Sequence, residues 1–517
     1  MVQFSLLWKA PEVNPITKKA RSIPFLNPFS NTHGRTFFFS WFGFMIAFWS
    51  WDCADLGTAF PPLLYDVIAG DIGMKPAEVA NSNIIALTAT LIVRLIAGPC
   101  CDHFGPRLTF AGCLLAGAIP TFLAGCVHNT VGLYGLRFFI GILGGSFVPC
   151  QVWTTGFFDK NVIGTANALT GGLGNLGGGI TYFVMPAVYN SLVSDGLSKS
   201  KAWRVSFVVP GILIVFVALC LIFLCDDTPT GEWADRFAAA EEELRRHSVT
   251  NVVTDASTGG ILDAPPTSSP SEKDQASDSE EKPHGWKDNE AHATDQAMLD
   301  TARGEVVQKP SLAHIAHVMF SPQTIVTAAC YFCTFGGELA INSILGNYYS
   351  KNFPALDLQA SGNWAAMFGL LNGVTRPLGG YLSDLAYRRT HHRVWAKKAV
   401  LHAYGLLTGV FLIAIGALDP RDQATMFGLV AAMAVFLEGG NGANFGLVPH
   451  VHPAANGVVS GFTGAAGNLG GIVFAVIFRY HGRDYARVFW IVGVVTIGIN
   501  AAVGWIRPIP RGQAGGK

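Results

Sequence analysis

The feature that most constrains this chain is a glycine-rich stretch that occurs twice. Gly164–Gly179 reads GTANALTGGLGNLGGG, and Gly457–Ile472 reads GVVSGFTGAAGNLGGI. Aligned at an offset of 293 residues, the two stretches are identical at eight of sixteen positions. Shared glycines alone are common in membrane helices. The shared threonine and the shared Asn-Leu pair, which includes Asn175 and Asn468, favour a duplicated functional element.

Both stretches are predicted to be helices that pack closely against other helices. Gly164, Gly171, Gly174 and Gly178 are spaced by seven, three and four residues, which places them on one helix face. In water each glycine would cost a helix about 1 kcal/mol relative to alanine. In lipid, small residues let neighbouring helices approach. The residues predicted to serve packing or gating are Gly174, Gly178, Gly464, Gly467 and Gly471.

The composition is that of a polytopic membrane protein. Only 14% of the 517 residues are charged and the mean hydropathy is +0.36, whereas soluble domains have roughly 25% charged residues. Twelve apolar segments reach the length of about 20 residues that a spanning helix needs. They lie at about 36–60, 80–101, 108–127, 131–157, 163–190, 203–225, 322–347, 361–386, 398–418, 424–449, 456–479 and 485–506. We predict an all-α membrane protein with twelve transmembrane helices in two pseudo-symmetric six-helix halves.

The chain divides into five predicted regions. They are a cytoplasmic N-terminal tail (1–35), a six-helix half (36–225), a cytoplasmic central loop (226–320), a second six-helix half (321–506) and a cytoplasmic tail (507–517). Most of the central loop is polar without apolar periodicity, so we expect it to be largely disordered. It is either a passive linker or a site of phosphorylation at Ser277 and Ser279. Lysine and arginine concentrate in both tails and in the loop between helices 8 and 9, which predicts a cytoplasmic location for them.

Several functional classes are disfavoured by the sequence. The net charge is zero, so nothing indicates nucleic-acid binding. The C-x-x-C of Cys330 and Cys333 lies in an apolar run without a second pair, so no metal site is expected. The sequence has no Walker loop and no nucleophile elbow, and we predict no enzyme activity, no catalytic residue and no cofactor. His450 and His452 are expected to be solvated in a loop.

Two arginines lie deep in predicted spans with the same local spacing. Asp102 follows Arg94 by eight residues at a helix end, and Asp384 follows Arg376 in the same way. At 1.5 Å per residue each arginine lies about 12 Å from that end, near the midplane of a core about 30 Å thick. Burying an arginine there costs at least about 2.5–3.5 kcal/mol. We interpret the pair as an anion site, since guanidinium donors suit planar oxyanions; the alternative is a purely structural role in interhelical hydrogen bonds.

Other polar residues inside the spans are candidates for the same site. Asn175 and Asn468 would add neutral amide donors. The acids well inside predicted spans are Glu338 and Glu438, and either is a candidate partner for a buried cation.

The segments after the arginines carry a resemblance to a known family. Residues 98–107 read GPCCDHFGPR, which resembles the G-x-x-x-D-x-x-G-x-R loop of the major facilitator superfamily, and residues 380–384 read GYLSD as a second copy. The resemblance implies two six-helix halves with a binding site between them at mid-depth. It also implies a conformational motif formed by Gly98, Asp102, Gly105, Arg107, Gly380 and Asp384.

Within that superfamily the chain resembles the nitrate/nitrite porter family. Residues 171–179 and 464–471 are similar to its paired nitrate signatures, and the long central loop is similar to that of fungal members. The resemblance implies a substrate site of Arg94, Arg376, Asn175, Tyr331, Gly171 and Asn468. The chain departs from the family at residues 52–57, which include Asp52 and Asp55, so Phe44 and Phe48 are only candidates for an aromatic contact from helix 1.

The resemblance implies a nitrate importer, also accepting nitrite, in the plasma membrane. It would work by alternating access as a monomer in the lipid bilayer, with nitrate, nitrite and protons as its ligands. Glu338 is a candidate proton carrier or, equally, a structural partner. The alternatives are nitrate/nitrite exchange, transport of another oxyanion, and a nitrate-binding sensor that signals through the central loop.

Overall fold

The structure of this protein is a computed structural model. It describes residues 4–14, 17–53, 62–242, 245, 306–307, 309–356, 358–482, 484–511 and 513. Of the residues singled out above, Asp55, Ser277 and Ser279 lie outside the described residues.

The N-terminal half contains six long helical segments, α1 to α6. The fourth is broken where the sequence GILGGS forms a 3-10 turn at Gly141–Ser146, and the sixth is broken after Ser206. The bounds are α1 Thr32–Cys53, α2 Pro76–Phe104, α3 Pro106–Phe122, α4 Thr130–Ile140 with Phe147–Phe157, α5 Ile163–Ser194, and α6 Lys199–Ser206 with Val208–Leu224. A short helix, Pro62–Ile72, precedes α2.

The C-terminal half repeats this arrangement with α7 to α12. A short helix, Leu312–Met319, precedes α7 and is capped by the Ser311 side chain. The bounds are α7 Pro322–Asn352, α8 Leu358–Arg389, α9 Val394–Leu418, α10 Gln423–Val451, α11 Asn456–His481 and α12 Tyr485–Val503. Within the described residues, nine of the twelve segments are long and apolar enough to cross a membrane, and α1, α5 and α8 complete the two six-helix groups.

The two halves meet where glycine lets backbones touch. A Cβ on Gly98 of α2 would overlap the carbonyl oxygen of Gly457 in α11, and a Cβ on Gly380 of α8 would overlap the carbonyl oxygen of Gly164 in α5. Small residues permit this backbone-to-backbone approach in membrane helices. The glycine-rich helices α5 and α11 therefore pack against the arginine-bearing helices α8 and α2 of the opposite half.

Both tails lie at the same end of the bundle, which we call the tail face. The Ala20 N–H donates to the Phe157 carbonyl at 2.8 Å, so the N-terminal tail pairs with the end of α4. At the other terminus Gln513 Nε2 donates to the His450 carbonyl at 2.7 Å.

The expectation that both loop histidines are solvated is wrong for His450. Its side chain is 4% exposed and packs 5.2 Å from the ring of Tyr387, because α10 continues through it to Val451. His452 is half-buried and its Nε2 lies 3.0 Å from the Ser321 hydroxyl. Burial, followed by repulsion from the neighbouring histidines of the short helix Leu312–Met319, lowers the pKa of His452 to about 4.

Candidate functional site at the centre of the bundle

Arg94 is held by backbone carbonyl groups from both halves. The residue is 1% exposed, its Nε donates to the Gly144 carbonyl at 3.0 Å, and its Nη1 donates to the Gly464 carbonyl at 3.0 Å. With the amide oxygen of Asn468 turned toward the guanidinium, that oxygen accepts from Nε at 3.2 Å and from Nη1 at 3.1 Å. A Cβ on Gly464 would lie 3.2 Å from the Arg94 Cδ. The glycine of α11 thus makes room for the arginine of α2.

Arg376 occupies the equivalent place against α5, with different partners. It is also 1% exposed, and its Nη2 donates to the Tyr331 hydroxyl at 3.0 Å. Its Nη1 is buried and has no hydrogen-bond partner among the described residues. A Cβ on Gly171 would lie 2.7 Å from the Arg376 Nε. The site therefore retains a buried donor of Arg376 that is available to an acceptor.

Asn175 supplies a second unsatisfied group on the same helix face. It is 3% exposed, and neither its oxygen nor its nitrogen has a hydrogen-bond partner among the described residues. It follows Gly171 by four residues, so it lies one helical turn from the glycine that contacts Arg376. An unsatisfied buried polar group costs about 1–3 kcal/mol. An oxyanion that accepts from Asn175 Nδ2 and from Arg376 Nη1 would satisfy both donors.

Phe147, which the sequence analysis missed, lies between the two arginines. Its ring centroid is 4.9 Å from the Arg94 Cζ and 5.4 Å from the Arg376 Cζ. The rings of Tyr331 and Phe335 lie nearly parallel to it at 6.2 and 6.4 Å. Aromatic faces stabilise both cations without neutralising them. The one sequence feature that could have pointed to Phe147 is its position directly after the glycine-rich 3-10 turn in α4.

Phe44 is the aromatic residue of α1 that reaches this site. Its ring lies 5.4 Å from the Phe147 ring, and a Cβ on Gly174 would overlap it. In the other half, a Cβ on Gly467 would lie 2.6 Å from a ring carbon of Tyr331. Phe44 and Tyr331 are therefore pseudo-symmetry equivalents, whereas Phe48 stacks on Trp51 at 5.4 Å.

A buried carboxylate lies beside Arg376 and accepts one hydrogen bond on each oxygen. The Oε1 of Glu338 accepts from Asn372 Nδ2 at 2.7 Å, and its Oε2 accepts from Asn441 Nδ2 at 2.5 Å. Arg376 attracts this carboxylate electrostatically. The structure thus places Glu338 next to the candidate substrate site.

A second buried carboxylate, Glu438, is the other acid that the sequence offers as a partner for a buried cation. It is 0% exposed, and its Oε2 accepts from the Thr375 hydroxyl at 2.5 Å. Its Oε1 has no partner among the described residues. Glu338 and Arg376 both interact with it electrostatically.

The two motif aspartates join the halves at the tail face. Asp102 accepts from the backbone N–H groups of Gly457 at 2.8 Å and Val458 at 3.0 Å. Asp384 accepts from the N–H groups of Gly164 at 3.1 Å and Thr165 at 2.6 Å. Each carboxylate therefore caps the first turn of a glycine-rich helix in the opposite half, where the helix dipole favours negative charge.

Gly105 and Arg107, in contrast, contact residues that follow α6 in the chain. Gly105 has φ +92°, a left-handed value that favours glycine, and a Cβ there would lie 3.0 Å from Trp233 Cγ. Arg107 does not pair with Asp102. Its Nε donates to Asp227 at 2.6 Å, and its Nη1 donates to the Cys225 carbonyl at 3.0 Å, so it closes the tail-face end of α6.

Similarity to known proteins extends over almost the whole chain. The family model described as Major Facilitator Superfamily matches residues 37–475. Elsinochrome transporter 1 of Elsinoe fawcettii is 39% identical over 98% of this chain and 99% of its own length. High affinity nitrate transporter 2.5 of Arabidopsis thaliana is 29% identical over 91% of this chain and 79% of its own.

A solved structure shares the fold. The proton:xylose symporter XylE has a TM-score of 0.62 at 12% identity, over 92% of this chain and 96% of its own. The predicted fold class is therefore confirmed, and the prediction that the chain is not an enzyme is confirmed by the family match. The relatives are named for different cargoes, elsinochrome and nitrate, so they identify the class of protein and leave the cargo open. The chain is a multi-pass membrane transporter and belongs to the Major Facilitator Superfamily.

Proposed function

We propose that this protein imports nitrate, and also nitrite, by alternating access with proton symport. The observation that carries the proposal is the pair of buried, pseudo-symmetric arginines Arg94 and Arg376. The unsatisfied donors at Arg376 Nη1 and Asn175 support it. A planar oxyanion with several acceptor atoms suits forked guanidinium donors better than a spherical or neutral ligand does.

The enclosure of the site supports a small substrate. The aromatic side chains Phe44, Phe147, Tyr331 and Phe335 surround the arginines, and each is at most 2% exposed. At the tail face the aspartates hold the halves together. At the opposite face Arg479 of α11 donates to Asn81 of α2 at 2.6 Å. Contacts at both ends leave the site between two closable gates, as alternating access requires.

The roles of the residues follow from this geometry. Arg94 and Arg376 would neutralise the anion and hold it between the halves, and Asn175 and Tyr331 would fix its plane. Gly171 and Gly464 would keep the arginines in place, and Asn468 would orient Arg94. Gly174 and Gly467 would make room for Phe44 of α1 and Tyr331 of α7 within their own halves, whereas Gly471 lies against Leu87 of α2 in the opposite half. Together with Gly178, Gly471 would let the halves rock against each other.

Import of an anion into a negatively charged cell requires a driving force. Moving one anion against a negative-inside potential costs about 2.3 kcal/mol per 100 mV, so a cation must accompany nitrate or another anion must leave. We place the protein in the plasma membrane as a monomer, with the tail face in the cytoplasm. Glu338 remains a candidate for proton coupling because it lies beside Arg376.

A second candidate function is transport of an organic compound such as the elsinochrome named in the fungal relative. The observation that favours it is the 39% identity over nearly the whole of both chains. The two candidate functions make different demands on the site. Only nitrate import requires both guanidinium groups to contact a small anion.

The test is uptake by the purified full-length chain in liposomes, using nitrate and nitrite across pH. Arg94→Lys and Arg376→Lys keep the charge and lose the fork, and we expect each to reduce nitrate uptake about 100-fold or more. Uptake that increases at acid external pH supports symport, and uptake that requires internal nitrite indicates exchange. Wild type that binds nitrate without moving it would indicate a sensor. Absence of nitrate binding, with transport of an organic compound, would favour the second candidate.

A further inference from the structure

The two buried carboxyl groups beside Arg376 differ in how they accept hydrogen bonds. Both oxygens of Glu338 are occupied by amide N–H donors, from Asn372 and Asn441. A proton on Glu338 would weaken both bonds, because an amide N–H donates more strongly to a charged carboxylate than to a neutral carboxyl group. Donors on both oxygens favour the ionised form.

Glu438 has the opposite arrangement. Its Oε2 accepts from the Thr375 hydroxyl, while Oε1 is buried without a partner among the described residues. A proton on Oε1 would break no hydrogen bond. The titratable groups that face Glu438 are Glu338 of α7 and Arg376 of α8, and Tyr404 of α9 packs against the adjacent Gly439.

Among the described residues, the N-terminal half has no equivalent of this network. At the positions of α2 that correspond to Asn372 and Thr375 of α8, the chain has Thr90 and Val93. Thr90 donates to the Gly141 carbonyl at 2.9 Å and not to a carboxylate. Among the described residues, Arg94 contacts carbonyl and amide oxygens but no carboxylate.

We propose that Glu438 is the group that binds the transported proton, and that Glu338 stays ionised as the fixed counter-charge of Arg376. This inference rests on the proposed function and names the coupling residue of the same site. The proton enters on Oε1 of Glu438 together with the anion, and both leave on the other side; no covalent bond other than O–H forms or breaks.

The charge of the enclosed site explains the coupling. When Glu438 is protonated, the two guanidinium groups are matched by Glu338 and the bound anion. When the anion is absent, an ionised Glu438 takes its place. A buried site is most stable when it is neutral, since unmatched charge in a low-dielectric interior is costly. Anion and proton therefore bind as a pair, and the empty site also stays neutral.

The experiment measures nitrate affinity against pH for the purified full-length chain, and nitrate exchange and accumulation in liposomes at clamped potential. Wild type should lose up to about tenfold in affinity per pH unit above the pH at which Glu438 ionises, since one proton is linked to each anion. Glu438→Gln mimics the protonated form and should bind nitrate with an affinity that does not vary with pH. In liposomes it should exchange nitrate but gain nothing from a pH gradient. Glu241→Gln, the same change at an exposed position, should behave as wild type.

Any of four results would overturn the inference. If Glu438→Gln keeps the pH dependence while Glu338→Gln loses it, Glu338 is the proton site. If Glu438→Gln does not fold, Glu438→Asp serves instead, and an unshifted pH midpoint in that variant contradicts the role. If wild type neither binds nor exchanges nitrate, the proposed function fails first. Wild type that binds nitrate with no pH dependence rejects only the coupling residue.

Discussion

The two halves of this molecule present the same arginine to the centre of the bundle in different electrostatic surroundings. Arg94 donates to backbone carbonyl groups and lies beside the neutral amide of Asn468. Arg376 donates to Tyr331 and lies near Glu338 and Glu438. Both halves therefore pack an arginine against a glycine-rich helix, but among the described residues buried carboxylates lie near Arg376 only.

This difference separates two tasks that one symmetric site could not perform. Under the proposed function the Arg94 side is a fixed positive charge, since among the described residues its guanidinium donates to carbonyl and amide oxygens and to no carboxylate. The Arg376 side has a positive charge whose counter-charge can be supplied by a carboxylate or by the anion. Under the proposed function, the duplicated arginines bind the anion, and the carboxylates beside Arg376 couple its movement to that of a proton.

The strongest test of this comparison is to remove each guanidinium in turn. Arg376→Leu should destabilise the protein by about 3–5 kcal/mol, because it leaves buried carboxylates without their cation. Arg94→Leu should cost about 1–3 kcal/mol, since it leaves only neutral acceptors unpaired. Thermal unfolding in detergent measures both. Adding Glu338→Leu to Arg376→Leu should recover part of the loss, and equal costs for the two single variants would contradict the asymmetry.

The tail face allows a parallel comparison. Asp384 forms an ion pair with Lys397 at 2.7 Å, with both side chains 0% exposed, whereas Asp102 accepts mainly from backbone groups. Asp384→Asn should therefore cost about 3 kcal/mol, because it strands a buried lysine, and Asp102→Asn about 1 kcal/mol. Unfolding in detergent gives the values. Lys397→Met in the Asp384→Asn background should restore stability, and no restoration would mean that the cost lies elsewhere.

The glycines that face the arginines should also differ. A Cβ on Gly171 would lie 2.7 Å from Nε of Arg376, while a Cβ on Gly464 would lie 3.2 Å from Cδ of Arg94, where the flexible stem can yield. Gly171→Ala should displace the guanidinium and reduce nitrate uptake about tenfold or more. Gly464→Ala should reduce it only a few-fold. Initial uptake rates at matched protein levels decide this, and Gly156→Ala, where a Cβ meets nothing within 4 Å, is the control.

The residues that occur in both halves could be predicted from the sequence, whereas those that occur in one half only could not. The arginines, the glycine faces and the motif aspartates recur at fixed offsets, so their register could be predicted before any packing was known. Phe147, Asn372 and Asn441 have no such signal, because their roles depend on which helices meet in three dimensions. His450 was misplaced for a related reason, since a Pro-His-Val-His-Pro pattern does not show that α10 continues through it.

The smallest predicted effect concerns the aromatic pair that the pseudo-symmetry relates. Tyr331 accepts a hydrogen bond from Arg376, and its equivalent Phe44 has no hydroxyl to offer. Tyr331→Phe should lose one hydrogen bond to a charged donor, which corresponds to about 1.5 kcal/mol and about tenfold in nitrate affinity. Phe44→Tyr should not recover this loss, because Arg94 already donates to carbonyl oxygens. Titration of nitrate binding in the two single variants and the double variant gives the coupling between them. A double variant that binds as wild type would show that the hydroxyl works from either half, and that the asymmetry lies in the carboxylates alone.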